Sequence, residues 1–425
     1  MKKLIYPLIA LLALVACDDT LDDVAAVSTV APTVEVVLPA GMDGATVTAE
    51  EFAVKNVTTG RTAIYRSRAD LELTTGLYDI SYDADLLLAD GVTGKHVQAF
   101  LPSVEVTSAQ TTLRLAAYEA QDNDDFIISE IFFAGTLRPN GSQYYGDDYI
   151  KIYNNTDRVL YADGLTLLES KFVTTDKYNY RPNVMDTAMT VQALYTVPGS
   201  GHDHPVNPGE ELWIVDTGID HRVANENSFD CSGADFEWYD KSTQPAHLDI
   251  DGPVANLDKW YCYTLSFFVL HNRGFRAWAI ARIPMDKEQY LADERYYYTY
   301  KYVIIAEAGT YPMSQQAFMV PNRWIVDAVN CSVEAEYEWN VTAPSLDRGW
   351  THCGTMDHDK SRYFHSVRRK MLYVRDGRAV LKDTNNSSED FNPMVIPSEI
   401  ERQRTAVDFS GTPCSTLTWD GVIPK

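Results

Sequence analysis

Between Thr33 and Ala117 apolar and polar residues alternate in short runs: "TVEVVLP", "EEFAVKNVTTGRTAIYRS", "LELTTGLYDISYDADLLL" and "SVEVTSAQTTLRLAAYEA". Successive side chains of a strand point to opposite faces, so a period of two places one face on a core and one in water. Short strands at this spacing, punctuated by turn residues, predict an all-β sandwich. After a polar joint, "QDNDDF" at 121–126, the strand pattern resumes in "FIISEIFFAG" and "YIKIYNN". The expected architecture is all-β, with two β-sandwich domains at residues 31–118 and 125–425.

The N-terminus, "MKKLIYPLIALLALVAC", has two lysines and a short apolar run. The run from Leu4 to Ala16 is too short to cross a bilayer as a helix and suits an export signal. "LVAC" resembles a bacterial lipobox. That resemblance implies removal of residues 1–16 and acylation of Cys17, with residues 17–30 as an acidic tether. Buried acyl chains contribute about 0.8 kcal/mol per methylene, enough for stable anchoring when several are attached. Asp18, Asp19, Asp22 and Asp23 resemble the surface-export signal of Bacteroidetes, which implies an outer-membrane address facing the exterior. An ordinary acidic tether is the plainer reading of the same residues.

Loss of residues 1–16 removes two lysines and no acids, moving the formal charge from −24 to −26. That charge repels polyphosphates, so nucleic acid is not an expected partner. Beyond the signal no apolar run is long enough to span a membrane as a helix. Cys231, Cys262, Cys331, Cys353 and Cys414 remain. They form no CxxC pair, which removes zinc-ribbon and thioredoxin readings. One or two disulfides are compatible with an exported chain, with connectivity open.

Longer resemblances follow the strand order. "NVTTG" and "LTTGLYDISYDA" resemble carboxypeptidase-regulatory, transthyretin-like modules, in which Gly76 would supply a turn and Tyr78 a half-buried aromatic. From Ile128-Ser129-Glu130 the chain presents "YIKIYNNTD", "LYADGLTL", "NPGEELWIVD", "LHNRGFRAWAI", "IVDAV", "SVRRK" and "SSEDF" in register. This order resembles lamin-tail domains, which are immunoglobulin-like sandwiches. Such a sandwich needs about 100 residues, so segments 170–206, 217–262, 281–322 and 332–363 would be insertions. "GIDHRVANENSFDCSGADFEWYD", "VPNRWIVDAV" and "VRRK…DGRAVLKDTNNSSEDF" resemble the Bacteroidetes lipoprotein family named domain of unknown function four-eight-seven-six. That name implies no activity.

Candidate chemistry concentrates in the insertions. His202 and His204, two apart in "GHDHP", would share one face of a strand, and with His221 they are candidate ligands for a divalent metal. Further His and Asp residues lie at His247, Asp249, His352, His358 and His365. Polar loops carry these residue types without binding metal. Asp122, Asp124 and Asp125 offer oxygens for calcium, but the glycine and closing Glu of an EF-hand loop are missing, so a solvated linker competes. Asp147 and Asp148 could serve as a glycosidase pair, although a chain with 60 acids offers many such pairs. GxSxG, SxxK and phosphate-loop motifs are absent.

Aromatics cluster in "YYYTYKY" (Tyr296 to Tyr302), around Trp238 and Tyr239, around Trp260 and Tyr261, and in "EYEW" before Asn340. Exposed flat rings stack on sugars or anchor partners, and buried ones fill cores. Trp238, Tyr239, Trp260 and Tyr261 are the candidate ligand-binding residues. "DTL" and "DTA" resemble a Bacteroidetes O-glycosylation signal at Thr20 and Thr187. Arg368, Arg369 and Asp390 are read as structural: "MLYV" and "AVL" flank an Asp-Gly turn, and the arginines would pair with Asp383, Glu389 or Asp390. A phosphate clamp is the alternative.

Together these features predict a surface-anchored accessory protein. It would bind a small molecule, glycan, metal chelate or haem, and hand it to an outer-membrane transporter. An adhesive or structural surface protein is the alternative, and a metal-dependent hydrolase a further one.

Overall fold

The computed structural model describes residues 29–39, 41–107, 111–119, 124–242, 248–264, 266–375 and 377–403. Residues 1–16, Cys17, Thr20, Asp122, His247, Asp376 and Cys414 lie outside the described residues. The chain is all-β, with a few short helices.

In the first unit, five strands form one sheet in the order Thr62–Tyr65, Thr46–Asn56, Gly76–Leu87, Gly94–Val106, Tyr118–Glu119. A parallel pair, Thr33–Val37 and Thr112–Ala116, supplies further strands. Along the Gly76–Leu87 strand, Tyr78, Ile80, Tyr82, Ala84 and Leu86 recur every second position and are all buried with Phe52, Val97, Leu113 and Leu115. Gly76 opens this strand instead of making a turn, and Tyr78 is fully buried, its hydroxyl 2.7 Å from Thr74 Oγ1.

The second unit has two large sheets. The first runs Ala255–Asn256, Phe236–Glu237, Glu211–Val215, Tyr149–Tyr153, Ile127–Phe132, Ser366–Arg369, Phe391–Val395. The second runs Tyr297–Ala306, Gly309–Pro321, Ala188–Thr196, Leu165–Ser170, Ala277–Arg282, Ile325–Ser332, Thr351–His352, with Asp258–Cys262 also paired to Ala188–Thr196. Ile128, Ile131, Ile150 and Ile214 of the first sheet share one core with Leu167, Tyr195, Trp278 and Ile280 of the second. This is sandwich packing of two facing sheets.

The second sheet is buried on both faces. In "AWAIAR", Trp278 and Ile280 point into the sandwich, while Ala277, Ala279 and Ala281 join a separate core with Leu168, Val191 and Leu194. Burying a side chain such as Ile280 contributes about 1.5–3 kcal/mol. The small alanines let a third layer approach the outer face. That layer includes Tyr290 of the helix Lys287–Ala292, with Trp339 and Val341, and it packs with Phe318 of the sheet itself. Asp286 caps the helix by accepting the Gln289 N–H at 2.8 Å. The segments expected as insertions thus supply strands of both sheets as well as residues packed on the outer face.

The closing hairpin pairs Met371–Arg375 with Arg378–Leu381. "SSED" forms a short helix, Ser387–Asp390, leading into the Phe391–Val395 strand. Cys231, Cys262, Cys331 and Cys353 are buried free thiols.

Candidate functional site

Two insertions meet over the outer face of the second sheet. Thr174 organises the junction: its hydroxyl donates to the Cys331 carbonyl at 2.8 Å, and its own carbonyl accepts the Glu338 and Trp339 N–H groups. Trp339 Nε1 donates to the Val173 and Asp176 carbonyls at 3.0 and 3.2 Å. A buried indole fixed by two carbonyls cannot rotate without losing both bonds. Around it the rings are layered. Phe172 stacks on Tyr180 at 3.9 Å, Tyr180 on Trp339 at 6.0 Å, and Tyr178 leans on Tyr302 at 4.9 Å. Arg181 and Lys301 exchange backbone hydrogen bonds of 2.9 Å, which ties this loop to the long Tyr297–Ala306 strand.

The junction leaves an open groove of about 560 Å³, within the size range of small-molecule sites. One wall is Lys177, Tyr178, Asn179, Tyr180, Asn183 and Met185; the other is Tyr337, Trp339, Asn340, Thr342 and Pro344. Burial, reinforced by the neighbouring phenols, pushes the Tyr180 hydroxyl well above its ordinary range, so it stays protonated as a neutral donor and acceptor. Tyr337 donates to Asn340 Oδ1 at 2.9 Å. The groove thus offers flat rings, phenols and side-chain amides around a single cationic side chain.

The residues singled out in sequence lie elsewhere. Trp238 is a core residue: it is 0% exposed, with Nε1 3.3 Å from Asp216 Oδ2, so it offers no face to a ligand. Tyr239 is half-buried beside it. Trp260 and Tyr261 are partly buried in the third layer, against Tyr290 at 5.9 Å and Phe318 at 4.8 Å. Their aromaticity serves packing. Tyr178 and Tyr180, in "KYNYRPN", were missed; the signal was two tyrosines flanked by amides at alternate positions.

The three histidines form no common site. His202 is exposed against Tyr161, and His204 is half-buried against Phe236. His221 is buried, with Nδ1 2.6 Å from the Tyr144 hydroxyl and Nε2 2.8 Å from the Thr217 carbonyl. Both of its ring nitrogens are committed to protein partners. Among the described residues no group of three or more His, Cys, Asp or Glu side chains is placed to hold a metal ion. Asp125 pairs with Arg282 at 2.8 Å and Asp124 is exposed, so neither belongs to a calcium loop.

Asp147 and Asp148 are not an exposed acid pair. Asp147 accepts from Thr136 and Ser228, each at 2.5 Å, in full burial. Asp148 is also fully buried, and neither carboxyl oxygen has a partner among the described residues. Burial, with Asp147 and Asp216 nearby, pushes its pKa far above the usual range.

Arg369 is 1% exposed and reaches Asp327 at 2.6 Å, Asp383 at 3.0 Å and Asp390 at 3.6 Å. Arg368 pairs with Glu401 at 2.8 Å, and Glu389 pairs with Lys382 instead. Asp390 also accepts the Thr384 N–H and hydroxyl, each at 2.8 Å. Arg369 is thus buried among three carboxylates, while Arg368 is held chiefly by Glu401.

Fold and groove together define a β-sandwich protein with a ligand-sized cleft on the outer face of its second sheet. Residues 207–398 match the family model described as "Protein of unknown function (DUF4876)". A crystal structure of a DUF4876 family protein from Bacteroides thetaiotaomicron VPI-5482 superposes with a TM-score of 0.55 at 18% identity, covering 86% of this chain and 96% of that one. At that identity the likeness is one of fold. No curated protein matches the chain.

Proposed function

We propose that this protein is a surface lipoprotein of the bacterial outer membrane, anchored through Cys17, that binds a ligand in the Tyr180–Trp339 groove for uptake by an outer-membrane transporter. The observation that carries the reading is the groove itself. Rigidly held rings border a cleft built wholly from insertions on a stable scaffold, where binding surfaces commonly reside. The lipobox-like "LVAC" and the acids after it support the address. On the same reading the second unit is a lamin-tail-like sandwich, since "IVDAV" and "SVRR" fall on the Ile325–Ser332 and Ser366–Arg369 strands. The first unit is then a carboxypeptidase-regulatory-like spacer. The test screens purified protein against glycans, haem and siderophores, with Tyr180→Ala as control, and looks for a co-purifying transporter. Binding lost in the variant supports the reading. No binding and no transporter would reject it.

One observation favours an adhesive role. The hairpin of Tyr297–Ala306 and Gly309–Pro321 exposes Val303 and Ile305 on one face near its tip and Tyr311 on the other, and exposed apolar groups gathered at one tip suit a contact surface. Pull-downs from neighbouring cells with and without the tip test it: a partner captured only by the intact hairpin would favour adhesion.

A further inference from the structure

The groove has a neighbour. A second cleft of about 370 Å³ is lined by Trp350, Thr351, His352 and Ser388, among others. The two share a partition. Tyr337, on the wall of the groove, stacks on Trp350, on the wall of the second cleft, with ring centroids 4.6 Å apart and planes at 15°. Resting on the binding role proposed above, we infer that the two clefts are successive subsites for one neutral oligosaccharide chain, crossing the Tyr337–Trp350 stack.

The chemistry of the second cleft fits a sugar unit. Trp350 is half-buried, and its backbone N–H is held by Ser388 Oγ at 3.0 Å, which fixes the indole's position. His352 Nδ1 lies 2.9 Å from the Gly354 carbonyl. A nitrogen facing a carbonyl must carry the proton, so Nε2 of the neutral ring is an acceptor for a hydroxyl.

Charge selects the occupant. A chain of net charge −24 repels anionic polymers. The groove walls carry amides and phenols with Lys177 as their one charged residue, and the second cleft is lined by one charged residue, Glu334, so neither cleft gathers the charge an ionic polymer would need and affinity comes chiefly from ring stacking and neutral hydrogen bonds. A sugar chain presents both features at every unit, and its repeat allows the same chemistry to be met twice. A proline-rich peptide also docks on aromatic grooves, and serves as the competing ligand in the test.

Calorimetry with neutral glucose, mannose and xylose oligomers, from disaccharide to octasaccharide, reads the inference directly. Affinity should rise by about tenfold as the chain becomes long enough to reach Trp350, the size expected of one good aromatic stack. Trp350→Ala should erase that gain, so that long and short oligomers bind alike in the variant. Trp350→Phe should retain part of it, and thermal melts confirm that both variants fold. Tyr180→Ala should weaken short and long oligomers alike. If affinity is independent of length and Trp350→Ala changes nothing, the second subsite is wrong while groove binding stands. A proline-rich peptide that binds where no oligosaccharide does overturns the sugar class. Folded protein that binds neither overturns both.

Discussion

Arg369 joins the two sheets of the sandwich to one another. It lies on the Ser366–Arg369 strand of the first sheet, and its Nη2 is 2.6 Å from Asp327 Oδ2 on the Ile325–Ser332 strand of the second. Its Nε donates to the Ile128 carbonyl at 2.8 Å, while Asp327 Oδ2 also accepts the Ile128 N–H at 2.7 Å. One residue of the central strand is thus clamped from both sides by a buried ion pair.

Removing one partner of such a pair leaves uncompensated charge in the interior. Arg369→Ala should cost about 3–5 kcal/mol, read as a lower urea midpoint. Arg368→Ala takes the ion-pair partner from the buried Glu401, and should chiefly lower the melting temperature. Neither should change ligand affinity in protein that remains folded. Lost binding at unchanged stability would return the arginines to a functional role.

Asp148 gives a pH signature. Its pKa is far above the usual carboxyl value because of burial first and its acidic neighbours second. The folded chain therefore holds a proton that the unfolded chain releases near pH 4. This contribution is complete below that pH and is lost as pH rises towards the folded-state pKa. Asp148→Asn, a neutral near-isostere, should match the wild type near pH 4 and be more stable by about 1–3 kcal/mol at pH 8. Denaturant midpoints across that range check it, and a constant gap would show that Asp148 does not titrate with folding.

Trp238 and Tyr180 should separate cleanly. Trp238→Ala empties a core site and should cost about 3–5 kcal/mol of stability, leaving the affinity of surviving folded protein intact. Tyr180→Ala should lower both, the melting temperature through the lost stacking on Phe172 and Trp339 and the affinity through the lost groove wall. Paired melts and titrations distinguish them.

His221 should respond to protons and not to metal. Burial holds its pKa below 6.5, against the pull of Asp147. Its contribution to stability is present above that value and is lost as pH falls through it, because the unfolded imidazole takes the proton. His221→Asn should lower the melting temperature and flatten this part of the profile. Chelator or added zinc should leave the wild-type melting temperature unmoved; a zinc-induced rise that vanishes in the variant would revive the metal reading.

The alternation in "LYDISYDADLL" was enough to place a strand, because a period of two has no helical interpretation, whereas "AWAIAR", apolar up to its last residue and buried on both faces, was placed only through its likeness to a family phrase. The pairing of Arg369 with Asp383 and Asp390 was also accessible, since the hairpin between them is local. What the chain could not disclose was which aromatics face water. Trp238 and Tyr180 occupy similar polar, tyrosine-rich surroundings, and only the folding of residues 217–262 and 170–206 onto different parts of the sandwich separates them. Asp327, as Arg369's strongest partner, was equally hidden, being 42 residues away on the opposite sheet.

The Ile127–Phe132 strand sits between Tyr149–Tyr153 and Ser366–Arg369. One neighbour follows after a single connecting loop; the other is made more than 230 residues later, where Ser366 Oγ meets Glu130 Oε1. During synthesis the first unit, whose strands all pair among residues 29–119, can be complete while the second still has a bare strand at its centre. An open edge of that kind is a template for unwanted pairing, and pairing across so long a separation is slow. Any fragment ending before Ser366 is therefore an aggregation hazard, and the second unit becomes a finished object only when nearly the whole chain is present.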